Sequence, residues 1–248
     1  MSVRSKVSDA EWKVRVDLAA AYQLVEHFGW DDLVFTHLSA RVPETDHHFL
    51  INPYGLLFGE ITASSLVKID LEGNILLDTG HPVNAAGFTI HSAVHLAREN
   101  AHCVMHLHTV DGTAVATSTE GLLPLNQTAH LVLGDLAYHD YEGVAFDEAE
   151  RPRLQKDLGA HSTMLLRNHG TLTVGESVGE AFTRMYFLER ACSMQVRTLA
   201  STTKTYAVEP SVIEKNAMLG QFAAGASAGL VWPALLRRLD RMKSDYAT

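Results

Sequence analysis

The chain has 248 residues, 46% of them hydrophobic and 20% charged, with a formal net charge of −9 from 20 Lys+Arg against 29 Asp+Glu. That acidic balance excludes nucleic acid and anionic membrane as partners, because both are bound through basic patches. The apolar stretches are broken by His, Asp, Arg or Gly before they reach the roughly 20 residues that a membrane span requires, and Cys103 and Cys192, the only cysteines, exclude a disulfide framework and read as buried reduced thiols.

Residues 1–9 alternate small, basic and acidic side chains without the apolar core of a secretory signal, so a cytoplasmic location is expected. No Pro-rich, Gly/Ser-rich or single-charge linker divides the chain, which predicts one domain over 1–248 with a helical tail from about 203. Ser8-Asp9-Ala10-Glu11 reads as a capping box. Val14, Leu18, Ala21, Leu24, Val25 and Phe28 then recur at helical spacing until Gly29 stops them.

Short β-type runs follow at 38–42, 48–51, 66–69 and 75–77, punctuated by Asn52-Pro53-Tyr54-Gly55 and Glu72-Gly73-Asn74, which predicts a group of antiparallel strands. A helix over 86–98, an apolar strand ending in Cys103-Val104-Met105-His106-Leu107-His108 and a small-residue helix over about 110–117 come next. Asp147, Glu148 and Glu150 set negative charge in the first turn of a helix running to Leu158, where the helix dipole favours it. Runs at 162–166 and 172–174 read as strands around the turn Arg167-Asn168-His169-Gly170. A second capping box, Ser177-Val178-Gly179-Glu180, opens a long helix to about Ala200, and two more helices are expected around 213–222 and 232–242. Helices flanking a mostly antiparallel central sheet make an α/β layered architecture.

His106 and His108 stand two apart at a strand end, and strand side chains alternate, so both imidazoles leave the same face. A third histidine on a nearby turn would complete three neutral nitrogen ligands and leave coordination positions open, the arrangement of a catalytic metal site. His169, before Gly170 and between two expected strands, is suitably placed. With 14 histidines in the chain a His-x-His pair also arises by chance, and the residues alone leave both readings open. His91 and His95, at i and i+4 of one expected helix, form a rival pair without the adjacent glutamate of the zinc-protease motif.

From about Ser8 to Ala200 the chain resembles the class II aldolase/adducin family, most closely its adducin-like branch. The resemblance is carried by Thr36-His37-Leu38-Ser39-Ala40-Arg41, Val83-Asn84-Ala85-Ala86-Gly87-Phe88, His106-Leu107-His108-Thr109, Ala137-Tyr138-His139-Asp140-Tyr141-Glu142-Gly143 and Arg167-Asn168-His169-Gly170. It implies a three-layer α/β/α fold with a mixed, mostly antiparallel sheet. It also implies one divalent cation on His106, His108 and His169, zinc first with Fe(II) or Mn as alternatives, and a homotetramer with the metal site near a subunit boundary. In several members a C-terminal tyrosine reaches a neighbouring active site; Tyr246 is the candidate for that role here, with a disordered terminus as the favoured expectation.

The sequence departs from the family's sugar-phosphate aldolases in two places. Counting back from the histidines, the position of their catalytic glutamate is Gly87, which has no proton to move. The phosphate pocket has His37 for an asparagine, Tyr54 beside Gly55, and Ala85-Ala86 for paired serines, so a dianionic group would lack hydroxyl donors. The expected substrate is a small, unphosphorylated, oxygenated carbonyl compound or acid, with His37, Tyr54 and Asn84 as candidate binding residues. His130, Tyr138 and Tyr141 are the candidate acids or bases, and half-buried packing is the competing account of each tyrosine. Three functions follow: a metal-dependent aldolase or decarboxylase, a non-haem iron oxygenase on the same scaffold, since imidazole suits iron as well as zinc, and an adducin-like binding or scaffold protein without catalysis.

Overall fold

The computed structural model describes residues 2–45, 47–83, 88–143, 148–202 and 204–248. The strands are β1 (His37–Arg41), β2 (Phe49–Ile51), β3 (Val67–Ile69), β4 (Ile75–Leu77), β5 (Cys103–Leu107), β6 (Leu136–His139), β7 (Thr163–Leu166) and β8 (Gly170–Gly175). They form one eight-stranded sheet in the order β4-β3-β2-β1-β5-β8-β7-β6, antiparallel at every joint except β6 with β7. Helices α1 (Asp9–His27), α3 (Val110–Thr117), α4 (Gln127–Leu133), α6 (Val178–Ser201) and α7 (Pro210–Arg241) cover one face. The other face carries α2 (Phe88–Ala97) and α5 (Arg151–Leu158), which completes the three layers.

Strand alternation decides which core each residue feeds. Leu38, Ala40, Cys103, Met105 and Leu107 pack under α1 and α6, whereas Val104, Met164, Leu166, Leu172 and Val174 pack under α2 and α5. Tyr22 of α1 fixes the central strands from below: its hydroxyl takes the Leu38 N–H at 2.7 Å and lies 3.0 Å from Asn52 Oδ1. Ser8 caps α1 as expected, accepting from the Glu11 N–H at 3.1 Å. Glu11 does not reach back to close the box. Its carboxylate is buried and takes Arg15 Nε and Lys68 Nζ at 2.9 Å each, tying α1 to β3.

Three expectations need correction. The segment between α3 and α5 holds α4 and β6, two elements that the periodicity does not predict, since seven and four residues are too few for a period to show. The two helices expected near the end are one continuous helix, α7, of 32 residues. Gly220 is not a break but the point where α7 crosses α4, and Trp232 beside Pro233 anchors the helix by donating to Asp17 at 2.8 Å. By length and composition alone α7 could cross a membrane, with a mean hydropathy of 1.3 over its best window, a run that its many Gly, Ala and Ser residues conceal.

Tyr246 is also corrected. It is 7% exposed and donates to Asp240 at 2.9 Å, while Ala63 N–H donates to its carbonyl at 2.8 Å. The terminus is docked on its own chain, which removes Tyr246 as a group free to enter a neighbouring site.

Candidate metal centre

His106 is the penultimate residue of β5, and His108 follows it by two residues, just before the Thr109 N-cap of α3. His169 comes from the turn between β7 and β8, where Asn168 takes a left-handed φ of 54° that an asparagine tolerates. One ring nitrogen from each of the three lies within 4.8 Å of the others, and the ring centroids are 4.7 to 4.9 Å apart. Gly170 makes the approach possible: a Cβ there would sit 2.4 Å from Leu107 O and 3.2 Å from His108 Cδ2.

The hydrogen bonds around the rings fix their tautomers. His106 Nδ1 lies 3.0 Å from the Thr171 carbonyl, and His108 Nδ1 lies 3.0 Å from Asp32 Oδ2. Both partners only accept, so both Nδ1 atoms carry protons and both Nε2 atoms are bare in the neutral rings. Those two bare atoms face each other at 3.2 Å. Two lone pairs repel at that distance unless a cation or proton lies between them. It is close to the separation of two nitrogens sharing one ion at about 2.0–2.1 Å. The donor set therefore fits a divalent cation. Burial first, then the neighbouring imidazoles, hold His106 well below its usual pKa and His169 at about 4, which keeps their lone pairs available at neutral pH.

His37 lies in register with His106 across β1 and β5, on the face shared with the triad. Burial, then the neighbouring His108 imidazole, pushes it down to about 4, so it is neutral at pH 7 and brings no positive charge for a phosphate. Tyr54 is half-exposed in its turn, and its backbone N–H donates to Pro82 O. Asn84 and Gly87, with Ala85 and Ala86, lie outside the described residues. His130 is not brought to the triad: its Nε2 donates to Pro124 O at 3.0 Å, and its Nδ1 meets Asn216 at 3.2 Å. Tyr138 packs under Arg167, and its hydroxyl accepts the Leu122 N–H at 3.0 Å, which is the packing role. Tyr141 is exposed after β6. Arg41 and Arg167 are also turned to the backbone, onto His95 O and Ser118 O at 2.7 Å each.

No local sequence pattern marks Asp32 or Thr171 as partners of the triad. Asp32 lies 76 residues from His108, and its only signal is the acidic pair Asp31-Asp32 after Gly29-Trp30. Nor do His91 and His95 join the triad; Ser39 Oγ bridges them, at 2.7 Å from His91 Nδ1 and 2.8 Å from His95 Nε2.

A family model described as Class II Aldolase and Adducin N-terminal domain matches residues 16–196. The crystal structure of an aldolase II superfamily protein from Pseudomonas syringae is similar with a TM-score of 0.96 at 46% identity, covering 99% of each chain. An L-fuculose 1-phosphate aldolase from Glaciozyma antarctica PI12 is similar with a TM-score of 0.82 at 27% identity, covering 96% of this chain and 92% of that one. Alpha-adducin of Mus musculus is 53% identical over 192 residues, which make up 76% of this chain and 26% of that protein.

Proposed function

The chain belongs to the class II aldolase and adducin family, and from that membership we propose that it is a metal-dependent carbon–carbon lyase of aldolase or decarboxylase type. Its substrate is a small, unphosphorylated, oxygenated carbonyl compound or acid. The observation that carries this reading is the pair of bare Nε2 atoms of His106 and His108 held 3.2 Å apart beside His169. His106, His108 and His169 would hold a divalent cation, zinc first as the family implies, and it would supply positive charge for the negative charge that develops on oxygen as a carbon–carbon bond breaks. Thr171 and Asp32 hold the two imidazoles in their accepting tautomers, and neutral His37 lines the same face without the charge a phosphate would need. Decarboxylation suits a site whose family glutamate position is Gly87, because loss of CO2 requires no base in the bond-breaking step.

Metal analysis of wild-type protein and of the His106→Ala/His108→Ala double variant tests the ligands. About one zinc per chain, lost in the variant, is expected from a three-histidine site; metal content unchanged by the double replacement sinks the reading. The same analysis on anaerobically purified protein separates zinc from Fe(II). A panel of hydroxy-ketones, hydroxy-aldehydes and β-keto acids then tests the reaction, and proficient cleavage of a sugar phosphate would refute the unphosphorylated class. The likeness to alpha-adducin favours a second reading, a non-catalytic binding module, whose signature is metal-loaded protein inert across the whole panel. The proposal includes one domain, a cytoplasmic location and a homotetramer. Phe222 and Leu230 of α7, 74% and 80% exposed, support a subunit contact, and a light-scattering mass near 27.2 kDa would refute it.

A further inference from the structure

A line of hydrogen bonds leads away from the triad between β1 and α2. His95 Nδ1 lies 2.7 Å from the Ala101 carbonyl, which only accepts, so Nδ1 carries the ring proton and Nε2 is bare. Ser39 Oγ touches that Nε2 at 2.8 Å and His91 Nδ1 at 2.7 Å. The serine has one proton, and His95 needs it. His91 Nδ1 must then donate to Ser39, which leaves His91 Nε2 as a lone pair in a neutral ring. His91 is wholly buried, and its Nε2 has no hydrogen-bond partner among the described residues.

A buried acceptor without a donor is unfavourable until something supplies one, and native structures keep such groups where a ligand or a water completes them. The position of the ring says which. The His37 ring is 5.4 Å away, and His37 is the register partner of His106. The unmet acceptor therefore belongs to the inner wall of the histidine centre.

We propose that His91 Nε2 is a recognition group of this centre, accepting a hydrogen bond from a hydroxyl of a bound hydroxy-carbonyl compound, with Ser39 and His95 as positioning residues that hold it in the accepting tautomer. The proposal rests on the lyase reading for the class of ligand. It separates substrates by a hydroxyl rather than by the carbonyl, because a ligand lacking that hydroxyl leaves the nitrogen unpaired.

The test is nitrogen-15 NMR of the full chain labelled at histidine and incubated with Zn²⁺, using dihydroxyacetone as the hydroxylated probe and acetone as the control. The free protein should show His91 protonated at Nδ1, and dihydroxyacetone, not acetone, should move its Nε2 signal. His91→Asn places an amide N–H on Ser39 and nothing at the Nε2 position. It should keep wild-type zinc content and bind dihydroxyacetone about tenfold more weakly, the worth of one hydrogen bond. Ser39→Ala should leave a mixture of His91 tautomers. A His91 protonated at Nε2 in the wild type overturns the proposal, and so does an Nε2 signal indifferent to dihydroxyacetone, the behaviour of a resident water. These readouts need no folded variant. A His91 response in protein that takes up no zinc would sink the metal reading and leave this one standing.

Discussion

Asp32 meets His108 from a loop 76 residues earlier in the chain, and the contact does for one imidazole what the Thr171 carbonyl does for the other. Partners of this kind commonly govern metal affinity through ring orientation and basicity. Asp32→Asn removes the charge and keeps the shape. It is expected to weaken zinc binding by about 10- to 100-fold, read by competition with a chelator. Glu189 supplies a different residue-scale test. Burial raises its carboxyl to about 7, against the Thr109 hydroxyl that donates to it. Between the ordinary value of 4.5 and 7 the folded protein keeps a proton that the unfolded chain has lost. Its contribution to stability is therefore full below 4.5, declines as pH rises through that window and is gone above 7. Glu189→Gln cannot ionise, so it should melt above the wild type at pH 8, with the difference shrinking toward pH 5. An equal difference at both ends of a thermal-melt series would show that the carboxyl does not titrate there.

At the scale of elements, the crossing of α4 and α7 is built on missing side chains. A Cβ on Gly220 would lie 1.8 Å from Leu131 O, and one on Gly134 would lie 2.0 Å from Ala217 O. Gly220→Ala should cost about 1–3 kcal/mol by overpacking. Gly229→Ala, where an added methyl meets nothing within 4 Å, should gain up to about 1 kcal/mol from helix propensity. Urea denaturation of the two variants checks the contrast, and equal effects would mean that the crossing is not tight. This crossing also explains why one continuous helix, α7, looks like two in sequence. A glycine in a helical pattern reads as a stop when the reason for it is a neighbour far away in sequence. Strands β1 to β4, β5, β7 and β8 were legible because alternating apolar runs are bounded by Asn, Pro and Gly turns. The triad was legible only in part: His106 and His108 share a local spacing and His169 precedes a glycine, but among 14 histidines that left both readings open, and the family resemblance decided between them. Asp32, Thr171 and Ser39 acquire their roles only through sheet register and loop return, which no local pattern encodes. The polar atoms of His130 and Tyr138 go to Pro124 O, Asn216 and the Leu122 N–H, contacts between segments that no local pattern encodes.

For the whole molecule, the segment after α7 closes the same core that α1 opens. Leu239 and Tyr246 belong to the cluster that holds Leu18, Tyr22 and Phe182, and Gln23 Nε2 donates to Asp245 Oδ1 at 3.1 Å. Ser64 N–H donates to the Thr248 carbonyl at 2.9 Å, which extends the seam. Deleting residues 244–248 should lower the melting temperature, because it uncovers part of α1 and removes Ser244 and Asp245 from Gln23, which keeps only the Ile61 carbonyl. Zinc content measured well below that temperature should be unchanged, since the triad lies on other segments. A truncated protein that melts like the wild type would show that the seam contributes nothing. The seam also constrains the order of events on the ribosome. The first helix can form as it leaves the exit tunnel, yet one of its lasting partners is encoded 222 residues later. Until then the part of the helix under the seam stays uncovered, so this chain is expected to rely on chaperones during synthesis more than a fold closed by neighbours in sequence.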